Sequence, residues 1–224
     1  MPYSAPNLDE VTKAIIRAVA PQRVLDIGCG AGKYGEILRD MFPAVELIGV
    51  EVEKSYIERF KLDLIYDDVR LMSATDLVTT DIEAAYDLVI IGDCIEHLPK
   101  SAGLDLLNFL TYRCAYAMVV CPECYPQNSK DGVNSEAHIS VWSERDFEWH
   151  DLWATTYVTN MMLFLLRGYL KYPLKLRDLV AGINELQLPL NNDSGKFIKN
   201  CQLEIRANVR TELVGENTVI YRHT

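Results

Sequence analysis

Two groups of residues in this 224-residue chain are spaced for chemistry. The first is Asp26-x-Gly28-x-Gly30-x-Gly32, followed by Glu51. Glycines let a backbone turn sharply and come close to a ligand. A carboxylate beside such a turn suits a cationic group, and an acid some 25 residues later is placed to accept from a ribose diol. The second group is Asp93-x-x-Glu96-His97, joined from far downstream by His138. Two carboxylates and two imidazoles can surround a divalent ion with mixed oxygen and nitrogen ligands. Alternatively, His97 can act as a general base without metal, with Glu96 beside it. Cys121-Pro122-Glu123-Cys124 has the spacing of half a zinc site, but no second pair completes it.

The elements that must position these residues follow from the apolar pattern. Val24 to Ile27 is a short continuous apolar run broken only by Asp26, and it reads as a buried strand leading into the glycine turn and then a helix from Tyr34 to Met41. A first helix precedes it, from a cap at Asn7 or Asp9 to about Ala18. Val45 to Val52 is the second strand, ending at Glu51. The third strand has two registers: Leu62 to Val69, which is preferred and puts Asp68 at its tip, or Val69 to Met72, which gives that place to Asp76. Tyr86 to Asp93 is the fourth strand and Tyr116 to Cys121 the fifth, separated by an apolar helix from Ser101. A polar loop from Glu123 to Ser140 is long enough to expect a function for it. A capping sequence at Ser143 starts a helix to about Asp151, and Ala154 to Val158 with Met161 to Leu166 reads as a closing strand pair.

The glycine turn excludes one common partner. A dinucleotide fingerprint starting at Gly28 would need a third glycine where Lys33 stands, and the match from Gly30 to Gly35 lies too far past the strand. Asp26 to Gly32, together with Tyr86-Asp87-Leu88-Val89-Ile90-Ile91 and then Glu96-His97-Leu98, resembles instead the class I S-adenosylmethionine-dependent methyltransferases. The resemblance covers about 22 to 121 by motif and 122 to 166 by order of elements. It implies a doubly wound, Rossmann-like α/β sheet of seven strands, mostly parallel with an antiparallel last strand. It implies S-adenosylmethionine as cofactor: Asp26, Gly28, Gly30 and Gly32 at the methionine end, Glu51 on the ribose, Asp68 with the Val69 amide on the adenine, and Asp93 at the rim. Four acids at one rim would repel each other unless a cationic or hydrogen-bond-donating ligand joined them.

Asp93, Glu96, His97 and His138 are similar to the metal-binding Glu-x-x-Glu-His plus later His of the small-RNA 2′-O-methyltransferases and ubiquinone-pathway O-methyltransferases, with Asp in the first place. That resemblance implies Mg²⁺ or Mn²⁺. Tyr34, Tyr125 and Trp142 are candidates for the wall of an acceptor pocket. The expected function is methyl transfer to an acceptor, read as a small molecule. The competing readings are a non-catalytic methyltransferase-like module and a nicotinamide-dependent dehydrogenase.

Composition bounds the partners. With 22 basic and 32 acidic residues the net charge is −10, which argues against non-specific attraction to nucleic acid or anionic membranes. No stretch reads as a signal peptide or a membrane span, and the six scattered cysteines suit a reducing compartment, so a cytoplasmic protein is expected. The domain reading is 1–166 for cofactor binding and 167–224 as a C-terminal helical extension. Its helices, over about 173–188 and 196–209, carry apolar stripes that call for burial as a lid or in a homodimer interface.

Overall fold

The computed structural model describes residues 4–80, 84–129, 132–208, 211–213 and 219–221. A sheet of eight strands runs through it: β1 (Arg23–Ile27), β2 (Glu46–Glu51), β3 (Asp68–Leu71), β4 (Tyr86–Gly92), β5 (Cys114–Pro122), β6 (Leu152–Val158), β7 (Met161–Arg167) and, at one edge, a strand formed by Glu204–Ala207. β3, β2, β1, β4 and β5 lie side by side in that order, all parallel. β7 follows β5 antiparallel, β6 pairs antiparallel with β7, and Glu204–Ala207 pairs antiparallel with β6. Strands β1, β4 and β5 are apolar on both faces because both faces are covered.

Alternate side chains go to two cores. Val24, Leu47, Leu88 and Ile90 pack with helices α1 (Asp9–Val19) and α2 (Lys33–Met41). Leu25, Ile48, Val89 and Ile91 pack with α5 (Lys100–Thr111) and the short α4 (Leu77–Thr80), whereas α3 (Lys54–Phe60) lies against the first core through Ile57 and Phe60. The order of connection reverses between β1 and β4, so a crevice opens there at the carboxyl ends of the strands.

The seven expected strands are present, with the antiparallel β7 inserted between β5 and β6, but the sheet has eight. The extra strand comes from the segment expected to be the second C-terminal helix. Among the described residues only one helix forms there, α6 (Leu176–Glu185). Residues 189–200 fold as a hairpin of β8 (Pro189–Asn191) and β9 (Phe197–Asn200), turned by Asn192, whose side chain accepts from Ser194 N–H and Lys196 N–H, and by Gly195 at φ 73°. Glu204–Ala207 is β10, and β11 (Thr211–Leu213) pairs with β12 (Val219–Tyr221). The stripe Leu176, Leu179, Val180 and Ile183 is buried in the same core as α1, so covering it requires neither a lid nor a second copy. Ser143 does form a capping box with Asp146, but only a single turn, Glu144–Phe147, follows it. No helix among the described residues is long and apolar enough to cross a membrane.

Candidate active site at the carboxyl ends of the strands

The glycine turn leaves β1 at Gly28, whose N–H donates to Val50 O at 2.8 Å. Its φ is +74°, and a Cβ there would sit 2.5 Å from Cys94 Sγ, so the position admits only glycine. Gly32, at φ +86°, starts α2. Glu51 closes the turn from the end of β2. One of its oxygens accepts from Gly30 N–H at 2.8 Å and the other from Glu53 N–H at 2.9 Å. The resulting cleft encloses about 880 Å³ including its open mouth. Gly28, Gly30, Glu51, Ser73, Asp93 and His97 are on its wall.

Buried acids dominate its electrostatics. Asp93 stands just past β4 in a left-handed conformation, φ 48°, which is strained for a residue with a Cβ. Burial pushes its carboxyl up to about 6, against the opposing pull of the Ser4 hydroxyl, Lys33 and the Ala5 N–H. Its Oδ2 is buried with no partner among the described residues. Glu51 is also raised by burial, in spite of the amides it holds. Asp26 lies beneath the turn rather than on the cleft wall, fully buried, with Oδ2 accepting from Tyr66 OH at 2.6 Å and Oδ1 unpartnered among the described residues. Burial lifts it to about 7.

A stability test follows from Asp26. Its pKa in the folded chain is above the unfolded value, so its contribution is fully present below pH ~4 and lost as pH rises through about 7. A shift of this size corresponds to a loss on the order of 4 kcal/mol over that window. Asp26→Asn keeps an oxygen for Tyr66 and removes the charge. Thermal melts of the ligand-free variant between pH 4 and 8 should show a higher Tm than wild type at pH 7.5 and a flatter profile. An unchanged slope would mean that Asp26 is not the group responsible.

A second cluster adjoins the cleft. The turn Ile95–His97 after β4 buries Glu96, whose Oε2 has no partner among the described residues and whose carboxyl is held well above its ordinary range by burial and by Asp93. His97 Nδ1 faces Ala137 O at 3.1 Å, and His138 Nδ1 faces Tyr125 O at 2.6 Å. A carbonyl only accepts, so each ring carries its proton on Nδ1 and keeps the Nε2 lone pair. Burial lowers both imidazoles below their ordinary range, which keeps them neutral at pH 7. The rings meet edge to face with centroids 4.7 Å apart. Glu96, His97 and His138 offer ligand atoms all within 4.8 Å of one another. Backbone anchoring of the second ring nitrogen is the arrangement that orients histidine ligands on metals.

Comparison with known proteins gives the family. Residues 25–110 match the family model described as a methyltransferase domain. Residues 25–110 therefore carry a methyltransferase domain. A malonyl-[acyl-carrier protein] O-methyltransferase of Anoxybacillus flavithermus is 34% identical over 70 residues, which are 31% of this chain and 27% of that one. This chain thus aligns with about a quarter of that relative's length. Among solved structures, a SAM-dependent methyltransferase from Archaeoglobus fulgidus has a TM-score of 0.53 at 18% identity, covering 70% of this chain and 93% of the other. The plantazolicin methyltransferase BpumL, solved in complex with SAH, has a TM-score of 0.52 at 12% identity, covering 73% and 85%. At such identities the likeness is one of fold.

The methyltransferase fold brings Gly28, Gly30, Glu51 and Asp93 to one cleft, with Asp26 and Gly32 shaping the turn from beneath. It does not bring Asp68 or Val69. β3 takes the other register, so both lie at its start, at the end of the sheet remote from the cleft; Asp68 is exposed and pairs with Arg70. Asp76, the alternative, is exposed and off the cleft wall. Asp93 is not in the group with Glu96, His97 and His138, because its carboxylate turns toward Ser4 and Lys33. Tyr34 and Trp142 are core residues, whereas Tyr125 is exposed 5.9 Å from the His138 ring.

Other residues at the methyltransferase site carried no signal of their own. Ser135 and Glu136, on the long loop, cross to the β2 side of the cleft: Ser135 donates to Glu53, and Tyr56 OH donates to Glu136 at 2.7 Å. Lys33, in the place of the missing third glycine, holds the N-terminal segment through Ala5 O at 2.7 Å and Asp9 at 2.5 Å. Spacing alone could have flagged only Lys33.

Proposed function

We propose that this methyltransferase binds S-adenosylmethionine in the cleft and transfers its methyl group to a hydroxyl of a small molecule beside His97. The observation that carries the cofactor reading is the buried, unpartnered Asp93 oxygen next to the glycine turn and Glu51. An ammonium or sulfonium relieves those charges, whereas a pyrophosphate would add to them. Bound there, the cofactor supplies a methyl group already activated on sulfur. The chain's part is to orient the acceptor in line and to take its proton. His97, on the cleft wall with its Nε2 lone pair available, is the residue for the second task. Oxygen as the accepting atom agrees with the name of the curated O-methyltransferase relative.

A second reading of the same cluster has Glu96, His97 and His138 hold a Mg²⁺ or Mn²⁺ ion, with His97 Nε2 then a ligand and not the base. Support comes from the unpartnered Glu96 oxygen and the two Nδ1-anchored rings, a donor set of one oxygen and two nitrogens. Such an ion would lower the pKa of an acceptor hydroxyl. Calorimetric titration with S-adenosylhomocysteine and with NAD tests the cofactor. Binding of the first at micromolar concentrations and none of the second is expected. No heat with S-adenosylhomocysteine well above that range would overturn the reading.

A further inference from the structure

His97 owes its tautomer to a backbone carbonyl. Its Nδ1–H donates to Ala137 O at 3.1 Å, and that bond leaves the Nε2 lone pair for the cleft. The orientation of the ring therefore depends on what holds the Ala137 peptide. On one side the chain is fastened to the turn after β4, where Ile139 N–H and Ser140 N–H donate to Glu96 O at 2.9 and 3.1 Å. On the other side the fastening is Glu136, buried on the cleft wall, whose carboxylate accepts from Tyr56 OH at 2.7 Å across 80 residues of sequence. Glu136 O in turn accepts from Gln127 Nε2 at 2.6 Å, and Ser135 donates to Glu53, the residue before α3. Residues 135–140 thus form a strap drawn between α3 and the end of β4, with Ala137 between its two fastenings.

The fastening at α3 rests on one hydroxyl. A hydrogen bond to a carboxylate is stronger than one between neutral groups, and a buried carboxylate that loses such a donor turns toward water. Ala137 follows Glu136 in the chain, so its carbonyl moves with that turn. The Tyr56 ring packs edge-on against Phe60, with centroids 5.9 Å apart, so replacing it by phenylalanine deletes the hydroxyl and keeps the packing. Resting on the function proposed above, we infer that Tyr56, acting through Glu136, is a positioning residue for His97: it holds the Ala137 carbonyl where the ring keeps its proton on Nδ1 and its lone pair toward the acceptor.

The test reads the tautomer from the ring nitrogen NMR shifts of the full chain, without ligand and with chelator present, at about pH 8, where burial keeps the ring neutral. The His97 signals are assigned by their loss in His97→Ala. Wild type should show a protonated Nδ1 and a bare Nε2. In Tyr56→Phe and in Glu136→Ala the two nitrogens should shift toward each other, the mark of a ring exchanging between tautomers. Glu136→Gln keeps an oxygen for the Tyr56 hydroxyl and should retain the wild-type pattern. The Tyr56→Phe/Glu136→Ala double variant should be no worse than either single one, because both act on one bond. An unmoved His97 tautomer in Tyr56→Phe and Glu136→Ala overturns the assignment, whatever their melting temperatures. Absence of heat with S-adenosylhomocysteine in the wild type overturns the function that this positioning serves, a failure told apart from the first because the tautomer is read without ligand.

Discussion

Replacing His97 by alanine is expected to lower kcat by ~10²- to 10⁴-fold, the span of a positioned proton acceptor, with S-adenosylhomocysteine affinity changed only a few-fold. The argument rests on the Nδ1 contact to Ala137 O, which leaves Nε2 as the reactive atom, and on the burial that keeps the ring neutral. Because the pKa is lowered, protonation occurs below the ordinary ~6.5 of histidine. Activity should therefore be flat through neutrality and fall only in acid. The same acid limb is expected if a metal is held, since His97 and His138 must both be neutral to bind it. Chelation separates the two mechanisms: with an ion on Glu96, His97 and His138, activity is lost to chelator and restored by Mg²⁺ or Mn²⁺. Activity that survives exhaustive chelation leaves His97 as a metal-free base and removes the metal from the proposal. Full activity of the His97→Ala protein would remove both.

Glu51→Ala is the second large effect. Hydrogen bonds to a charged group contribute ~1.5–3 kcal/mol each, so losing one ribose contact weakens S-adenosylhomocysteine roughly 10- to 150-fold, and losing both hydroxyls weakens it further. The substitution also strips the partners from Gly30 N–H and Glu53 N–H, which loosens the turn itself. Glu51→Gln separates the contributions, since its oxygen can still accept while the charge is gone. Calorimetry should rank wild type, Gln and Ala in that order. The rise in Tm on adding S-adenosylhomocysteine should shrink in parallel. Equal affinity for wild type and Ala would mean that the diol is bound elsewhere.

The glycine turn, Glu51 and strands β1, β2, β4 and β5 were legible because buried parallel strands leave continuous apolar runs that end abruptly at their ligand-facing tips. The third strand was not. Leu62, Ile65 and Tyr66 look like strand residues, but Lys61 is in a left-handed conformation at φ 51° and a single turn, Leu62–Leu64, follows it. Leu62 and Tyr66 are buried beneath the glycine turn, where Tyr66 reaches Asp26, so their apolarity serves the underside of the site. Asp67 then pins the chain to Leu47 N–H and to Arg39 before the strand begins. The segment after Lys196 misled in the opposite direction. Strand residues on a partly covered sheet edge and in an exposed hairpin gave an apolar spacing that also fits a helix. The meeting of His97 with His138 depends on where the long loop lies, and that is set by tertiary bonds such as Ile139 N–H to Glu96 O at 2.9 Å.

The Asn7 side chain donates to Asn191 O at 3.0 Å and to Asp193 Oδ1 at 2.8 Å, across sequence separations of 184 and 186. Those bonds seat the turn Pro6–Leu8, and through it the Ser4 and Ala5 contacts to Asp93. During synthesis the amino-terminal residues therefore emerge long before the hairpin that anchors them. Contacts this distant form late, after the intervening sheet has assembled. A nascent chain stopped short of residue 193 contains every glycine and carboxylate of the cleft, yet lacks the clamp over its Asp93 end. Maturation of the binding site thus waits on nearly the whole polypeptide.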